Sequence, residues 1–359
     1  MPIWSFADAV ERLRDPFAIE DLAHPPAPVR PFVVDLRGLR PPVPEADREL
    51  LRSSLRALRT VTVGIVGDEV HPGVADIVEP FDLLFAPPGS TGAAATAVVA
   101  FDDVDLAIEE VESALERAPH AGVALAQLLR MEAYRDVASG LVAESLAYST
   151  LQSGPEFGHW LATRTRRRID DNPAPAVLVE RRDATLWCTL NRPERRNAFS
   201  AAMRDALVDA LRLAWADRGL EGVVLRGAGP AFSAGGDLAE FGTHADPATA
   251  HAVRTLRSTA WWIHRLEHHT RALIHGHCVG AGIELPSYCG TVIAAEDTLV
   301  SLPEVGLGLV PGAGGTVSLP RRIGRHRTCW LALTGARLDA RTALAWGLVD
   351  RIVSAHPSD

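Results

Sequence analysis

The chain has 359 residues, a formal net charge of −9 and a hydrophobic fraction of 47%, with a mean hydropathy of +0.06. These values predict a folded protein with ample core, built as one large domain or two smaller ones, and the acidic balance argues against a chain made for nucleic acid. No apolar run approaches the roughly 20 residues that a membrane span needs. The start carries an early acid, Asp8, and lacks the basic-then-apolar order of a secretory segment. Cys188, Cys278, Cys289 and Cys329 lie on apolar segments with no pair at metal-ligand spacing, which predicts reduced core thiols, a cytoplasmic chain and no metal site.

Taken in order, residues 1–30 are rich in proline, alanine and charge and predict a short helix followed by an extended lead-in. Residues 31–36 and 61–66 are β-branched and apolar, and they bracket a helix-spaced stretch at 46–58. This is a strand-helix-strand unit suited to a parallel sheet. Further strands are predicted at 81–85 and 94–101. From Asp105 the apolar period becomes about 3.6, predicting helices within 108–115, 122–129 and 137–151. The basic run from Arg164 to Arg168 reads as a solvated helix end. A linker, Asp170-Asp171-Asn172-Pro173-Ala174-Pro175, marks the boundary between a region 31–170 and a second domain 171–359.

In the second domain, residues 176–179, 186–190 and 222–227 predict strands, and Ser200 predicts an N-cap for a helix over 201–215. Two stretches then combine small residues with a helix entry: Ala231-Phe232-Ser233-Ala234-Gly235-Gly236-Asp237-Leu238 and Val279-Gly280-Ala281-Gly282-Ile283-Glu284-Leu285. Unpaired N–H groups at such turns can point at a bound oxygen, so two of them can form an oxyanion hole. Glu284 follows the second turn, and Glu304 comes later in Ser301-Leu302-Pro303-Glu304. Paired carboxyl groups beside an oxyanion hole predict acyl chemistry with general acid–base steps.

Four stretches in order carry a resemblance over about 175–353: Leu190 to Phe199, Phe232 to Leu238, His275 to Leu285, and Pro303 to Gly308 running through Pro311-Gly312-Ala313-Gly314-Gly315-Thr316. Together they resemble the crotonase, or enoyl-CoA hydratase/isomerase, superfamily. The resemblance implies an α/β fold with a ββα superhelix core. Family members normally continue into C-terminal helices that cover the acyl site; here the sequence ends at Asp359. The stretch from Ala118 through Glu144-Ser145-Leu146-Ala147-Tyr148 to Trp160-Leu161 resembles that tail, placed before the catalytic core. The segment ahead of it resembles a degenerate crotonase core, which suggests a duplicated chain whose non-catalytic first half lends its tail to the second.

The resemblance assigns Gly236 and Ala281 as oxyanion donors through their backbone N–H groups, and Ala281 stands where hydratases usually have glycine. It places Glu284 and Glu304 on the two catalytic acids, and coenzyme A along Arg195, Arg196, Ala198, Ala234 and Asp237. The region from Ala245 to His269, with Trp261, Trp262, His264, His268 and His269, would line the acyl pocket; a helix puts Trp261 and His264 on one face. His275 and His277 flank Gly276 ahead of the second turn. The implied activity is addition of water across a 2-enoyl-CoA, with an isomerase or other specialised acyl-CoA enzyme, or a non-catalytic acyl-CoA-binding subunit, as alternatives. No separate cofactor is implied, because coenzyme A belongs to the substrate, and a homo-oligomer, a trimer or dimer of trimers, is expected.

Overall fold

The computed structural model describes residues 2–22, 29–165, 174–243 and 246–354. Arg166 to Arg168 of the basic run, Asp170 to Pro173 of the linker and Ala245 lie outside the described residues.

The first half opens with β1 (Ile3–Ser5), α1 (Phe6–Leu13), α2 (Ala18–Asp21), β2 (Phe32–Asp35) and α3 (Glu45–Ala57). It continues through β3 (Thr62–Ile65), β4 (Glu69–Val70), α4 (Ala75–Val78), β5 (Leu83–Ala86), β6 (Thr91–Gly92) and β7 (Val99–Ala100). Strands β1, β2, β3, β5 and β7 pair in that order, all parallel, and β4 pairs with β6 in a separate parallel ribbon. Every residue of β3 and β5 is buried, as a parallel sheet covered on both faces requires. Two expectations shift. Residues 3–5 form the edge strand ahead of the first helix, a run too short to register as a pattern, and the strand expected within 94–101 shrinks to two residues.

Four helices follow: α5 (Val104–Arg117), α6 (Pro119–Arg130), α7 (Val137–Gln152) and α8 (Pro155–Thr163). Asp103 and Asp136 cap α5 and α7 by accepting first-turn N–H groups, worth about 1 kcal/mol each. This layer is pinned to the first sheet by a buried ion pair. Arg130, at the end of α6, donates through Nε to Asp82 Oδ1 at 2.7 Å, and Asp82 Oδ2 accepts from Thr62 N at 2.7 Å and Thr62 Oγ1 at 2.9 Å.

The second half comprises β8 (Val177–Arg182), β9 (Thr185–Leu190), α9 (Ala201–Ala216), β10 (Gly222–Gly227), α10 (Pro247–Leu256), α11 (Thr259–Arg265), β11 (Thr270–Ile274), β12 (His277–Val279), α12 (Ala281–Glu284), β13 (Thr291–Ala295), β14 (Leu299–Ser301), α13 (Gly315–Ile323), α14 (Arg325–Thr334), β15 (Leu338–Asp339), α15 (Ala340–Trp346) and β16 (Arg351–Val353). Ser200 caps α9 as expected, accepting from Met203 N at 3.3 Å. The main sheet runs β8-β9-β10-β11-β13-β16, parallel except for the β8–β9 hairpin. Here too a parallel pair, β12 with β14, stands apart in a small sheet, which β15 joins antiparallel.

One continuous apolar core joins the halves, from Val33 and Phe85 through Val111 and Leu125 to Leu331 and Val349. Helix α14 packs on α5, α6 and β5; Trp330 meets Phe101 edge-on with ring centroids 5.8 Å apart, and Arg327 Nε donates to Val98 O at 3.1 Å. Asp82→Ala is expected to lower unfolding free energy by about 3–5 kcal/mol in urea titration, because it leaves the Arg130 charge buried and unpaired. Replacing both residues with apolar ones should cost less than either single change.

Candidate active site

Strand β9 runs into the turn 191–199, where Arg196 and Asn197 take left-handed backbone, with φ of 51° and 52°. Asparagine tolerates that conformation, and Asn197, fully buried, uses it to bind its own turn to the loop after β10. Its Oδ1 accepts from Arg192 N at 2.8 Å, and its Nδ2 donates to Ala228 O at 2.8 Å and Ala231 O at 2.9 Å. The first glycine turn hangs on this bracket: Ala234 N donates to Arg196 O at 2.8 Å and Phe199 N to Gly235 O at 2.7 Å.

The second glycine turn is stitched to the first. Ser233 N donates to His277 O at 3.2 Å and Val279 N to Ser233 O at 3.0 Å. Gly235, at φ 87°, has the Val279 carbonyl where a Cβ would come within 2.9 Å, so its missing side chain permits the close approach. Gly236 and Ala281 thereby face one cavity of about 390 Å³. Neither backbone N–H has an acceptor among the described residues. Two N–H groups without acceptors on the wall of one cavity are available to an oxygen bound there.

Both acids expected from the sequence line the same cavity and are buried. Gly280, at φ 49°, holds them together by lacking a side chain: a Cβ there would collide with Glu304 Oε1 and lie 3.7 Å from Glu284 Oε1. Their surroundings differ. Glu284 Oε2 accepts from Ala313 N and Gly315 N, both at 2.8 Å, at the start of α13. Burial pushes Glu284 up to about 7, and these two donors oppose the rise. Glu304 Oε2 is buried with no hydrogen-bond partner among the described residues. Burial, then the charge of Glu284, raises Glu304 well above the usual carboxyl range. Two adjacent carboxyl groups pushed apart in this way make one the better base and the other the better acid.

A third buried carboxyl group, Glu144, comes from α7 in the first half. Its Oε1 accepts from Gly314 N at 2.7 Å, and its Oε2 accepts from Thr316 N at 2.9 Å and Thr316 Oγ1 at 2.7 Å. Burial and then the charge of Glu284 push it up to about 8. Four successive N–H groups, 313 to 316, thus alternate between Glu284 and Glu144. Tyr148, one turn on, packs against Gly312, and Leu141, Val142 and Ser145 add to the cavity wall. The sequence offered Glu144 and Tyr148 only as part of a displaced tail; no local signal ties them to residues 170 positions away.

Of the five residues expected to hold coenzyme A, Asp237 lines the cavity, while Arg195, Arg196, Ala198 and Ala234 sit on the adjoining turns outside its lining. Asp237 Oδ2 pairs with Arg192 at 2.8 Å, and the same guanidinium donates to Ala198 O at 2.7 Å; Arg192 was not anticipated. The acyl-pocket region delivers Arg254, Arg257, Ser258, Ala260 and Trp261 to the cavity. Trp261 and His264 do share a face, with ring centroids 6.1 Å apart. The histidines lie elsewhere: His264 Nδ1 is 3.1 Å from Glu267 Oε2, His269 Nδ1 3.1 Å from Glu221 O and His275 Nε2 2.9 Å from Gly229 O. All four cysteines are free and buried. Among the described residues no group of three or more His, Cys, Asp or Glu side chains is placed to hold a metal, and no helix is long and apolar enough to cross a membrane.

The enoyl-CoA hydratase/isomerase family model matches residues 180–357. The 2,3-dehydroadipyl-CoA hydratase of Escherichia coli (strain K12) is 36% identical over 186 residues, covering 51% of this chain and 70% of that protein. The enoyl-CoA isomerase/hydratase fer4 of Mycosarcoma maydis is 37% identical over 45% of this chain and 63% of its own length. Among solved structures, enoyl-CoA hydratase from Thermoplasma volcanium GSS1 aligns with a TM-score of 0.48 at 35% identity, covering 51% of this chain and 73% of that one. Glycine turns, buried acids and sequence relatives coincide in the same half: the chain belongs to the enoyl-CoA hydratase/isomerase, or crotonase, family, with the family's α/β core in its C-terminal half.

Proposed function

We propose that this protein hydrates a 2-enoyl-CoA thioester. The observation that carries the proposal is the pair Glu284 and Glu304, side by side in one cavity with unlike hydrogen bonding, beneath two free N–H groups. The thioester oxygen would rest on Gly236 N and Ala281 N, where it can take up negative charge. Glu284, held ionised by its two backbone donors, accepts a proton from water as the water oxygen bonds to C3. Glu304, kept protonated by burial, gives its proton to C2. Water adds across the double bond, both protons are accounted for, and no resident cofactor enters, since coenzyme A arrives with the substrate.

We also read the first half as a reduced copy of the same core. Its β3-β4-α4-β5-β6 repeats the order and pairing of β11-β12-α12-β13-β14, down to the separate parallel ribbon. The helices that follow the copy supply Glu144 and Tyr148 to the cavity of the other half. The trimer or dimer of trimers implied by the family belongs to this proposal too.

Hydration of crotonyl-CoA and longer 2-enoyl-CoAs, followed by loss of the enoyl thioester absorbance, tests the reaction. Glu284→Gln and Glu304→Gln are each expected to lower kcat by about 10²–10⁴-fold; turnover equal to wild type in both would exclude acid and base roles. Conversion of a 3-enoyl-CoA to the 2-enoyl isomer without hydration would move the assignment to isomerase. In the free enzyme, kcat/KM should follow a bell. It falls on the acidic side near pH 7, where Glu284 takes up a proton and can no longer act as base, and at higher pH as Glu304 loses its proton. Glu144→Ala strips the acceptor from three donors and is expected to cost about 2–4 kcal/mol of stability by denaturant unfolding. It should also slow turnover, since the loop that holds Glu284 loses its second anchor.

A further inference from the structure

The cavity carries three arginines, and two of them have their charge answered within the protein. Arg204 pairs with Asp205 at 3.0 Å, and Arg257 with Asp205 at 3.1 Å and Asp209 at 3.0 Å. Arg254 is different. Nε donates to Ser145 Oγ at 3.0 Å and Nη1 to Gln152 Oε1 at 3.2 Å, while Nη2 donates to Ser145 O at 3.3 Å and to Ser149 Oγ. These acceptors are all neutral, and no carboxylate among the described residues pairs with this guanidinium. Its face lies over the Tyr148 ring at 4.6 Å from the centroid. The nearest acid along α7, Glu144, spends both oxygens on the start of α13. His251, through Nδ1 at 2.9 Å from Ser145 Oγ, can only add positive charge to the cluster.

A half-buried guanidinium with no paired carboxylate, only the more distant Glu144, is costly to keep. Of its five N–H groups four are spent on the acceptors above, which leaves one on Nη1 to donate a charge-assisted hydrogen bond to an anion. Burial acts in the same sense, pulling the group below its ordinary value. Tyr148 stands with Arg254 on its ring and Gly312 beside it, and the same cavity is lined by the apolar Leu141, Ala260 and Leu285. An acyl chain with its thioester at Gly236 and Ala281 would run along that wall and end beyond Tyr148.

We propose that Arg254 receives an anion at the far end of the acyl group, so that the preferred substrates are acyl-CoAs ending in a carboxylate. This rests on the acyl-CoA reading of the cavity and narrows it to one substrate class.

The test is direct binding of two unreactive saturated thioesters of equal chain length, adipyl-CoA and hexanoyl-CoA, to the full-length protein by calorimetry. The wild type is expected to bind adipyl-CoA at least about tenfold more tightly, the size of one charge-assisted contact, with the difference shrinking as salt is raised. Arg254→Gln should erase the difference between the two ligands, and Arg254→Lys, which keeps the charge but not the guanidinium's donor geometry, should retain part of it. The wild-type comparison stands even where a variant fails to fold, because Arg254 also ties α10 to α7. Equal binding of both thioesters, or tighter binding of hexanoyl-CoA, overturns the inference while leaving the acyl-CoA reading intact. Binding of neither overturns both. Preferential binding of adipyl-CoA without hydration of any 2-enoyl-CoA would uphold the anion site and remove the hydratase assignment alone.

Discussion

The site depends on the first turn of α13. Four consecutive N–H groups, from Ala313 to Thr316, stand at a helix entry where no intrahelical acceptor exists, and alternate members turn to opposite sides. One side holds Glu284 and the other Glu144. A carboxylate at a helix N-terminus gains from unpaired donors and from the positive end of the helix dipole. Burial pushes Glu284 up and the two N–H donors pull it back, which leaves it at about 7. The charge of Glu284, added to burial, in turn raises Glu144. Movement of α13 would be felt by both acids at once.

Around that turn, the sheet topology accounts for why the parts converge. Because β9, β10 and β11 are parallel neighbours, their C-terminal ends open on one edge, the usual place for a ligand in such sheets. The bracket after β9, the glycine turn after β10 and the second turn after β12 all emerge there. Gly235 and Gly282 let the two glycine turns come closer than side chains would allow, and Asn197 ties the bracket to the loop after β10 through two hydrogen bonds. The N–H groups of Gly236 and Ala281 are thus fixed by backbone packing; Ala281 itself lies in α12, and the positive φ falls on its neighbour Gly280.

Local pattern sufficed where chemistry is local. The glycine turns, the acids after them, the Ser200 cap and most strands and long helices were legible because each is set by residues within a few positions of one another. What escaped was set by distance. Edge strand β1 is three residues whose identity as a strand comes from pairing with β2, about thirty residues on. Arg192 reads as one of several arginines near a turn until Asp237 is brought beside it. Glu144 and Arg254 sit on separate helices whose pairing is invisible to periodicity, which reports a buried face without naming what lies opposite.

That division bears on which parts of the site the family can account for. The matched residues 180–357 contain both glycine turns, Glu284 and Glu304, so the chemistry is of a kind shared with relatives. Helix α7 lies outside that span, and it supplies Glu144, Ser145 and Tyr148 to the cavity. It also presents Ser145, Ser149 and Gln152 to Arg254, which fixes where that charge points. Since α7 belongs to the same chain, it reaches the cavity as an intramolecular partner, at the high effective concentration of a tethered element, and the core shared between the halves holds it there. On the proposed reading, the thioester end meets the family portion alone, while the far end meets Arg254 of that portion in the position that α7 gives it. On the same reading, changes confined to α7 would redirect substrate choice without touching a residue that meets the thioester.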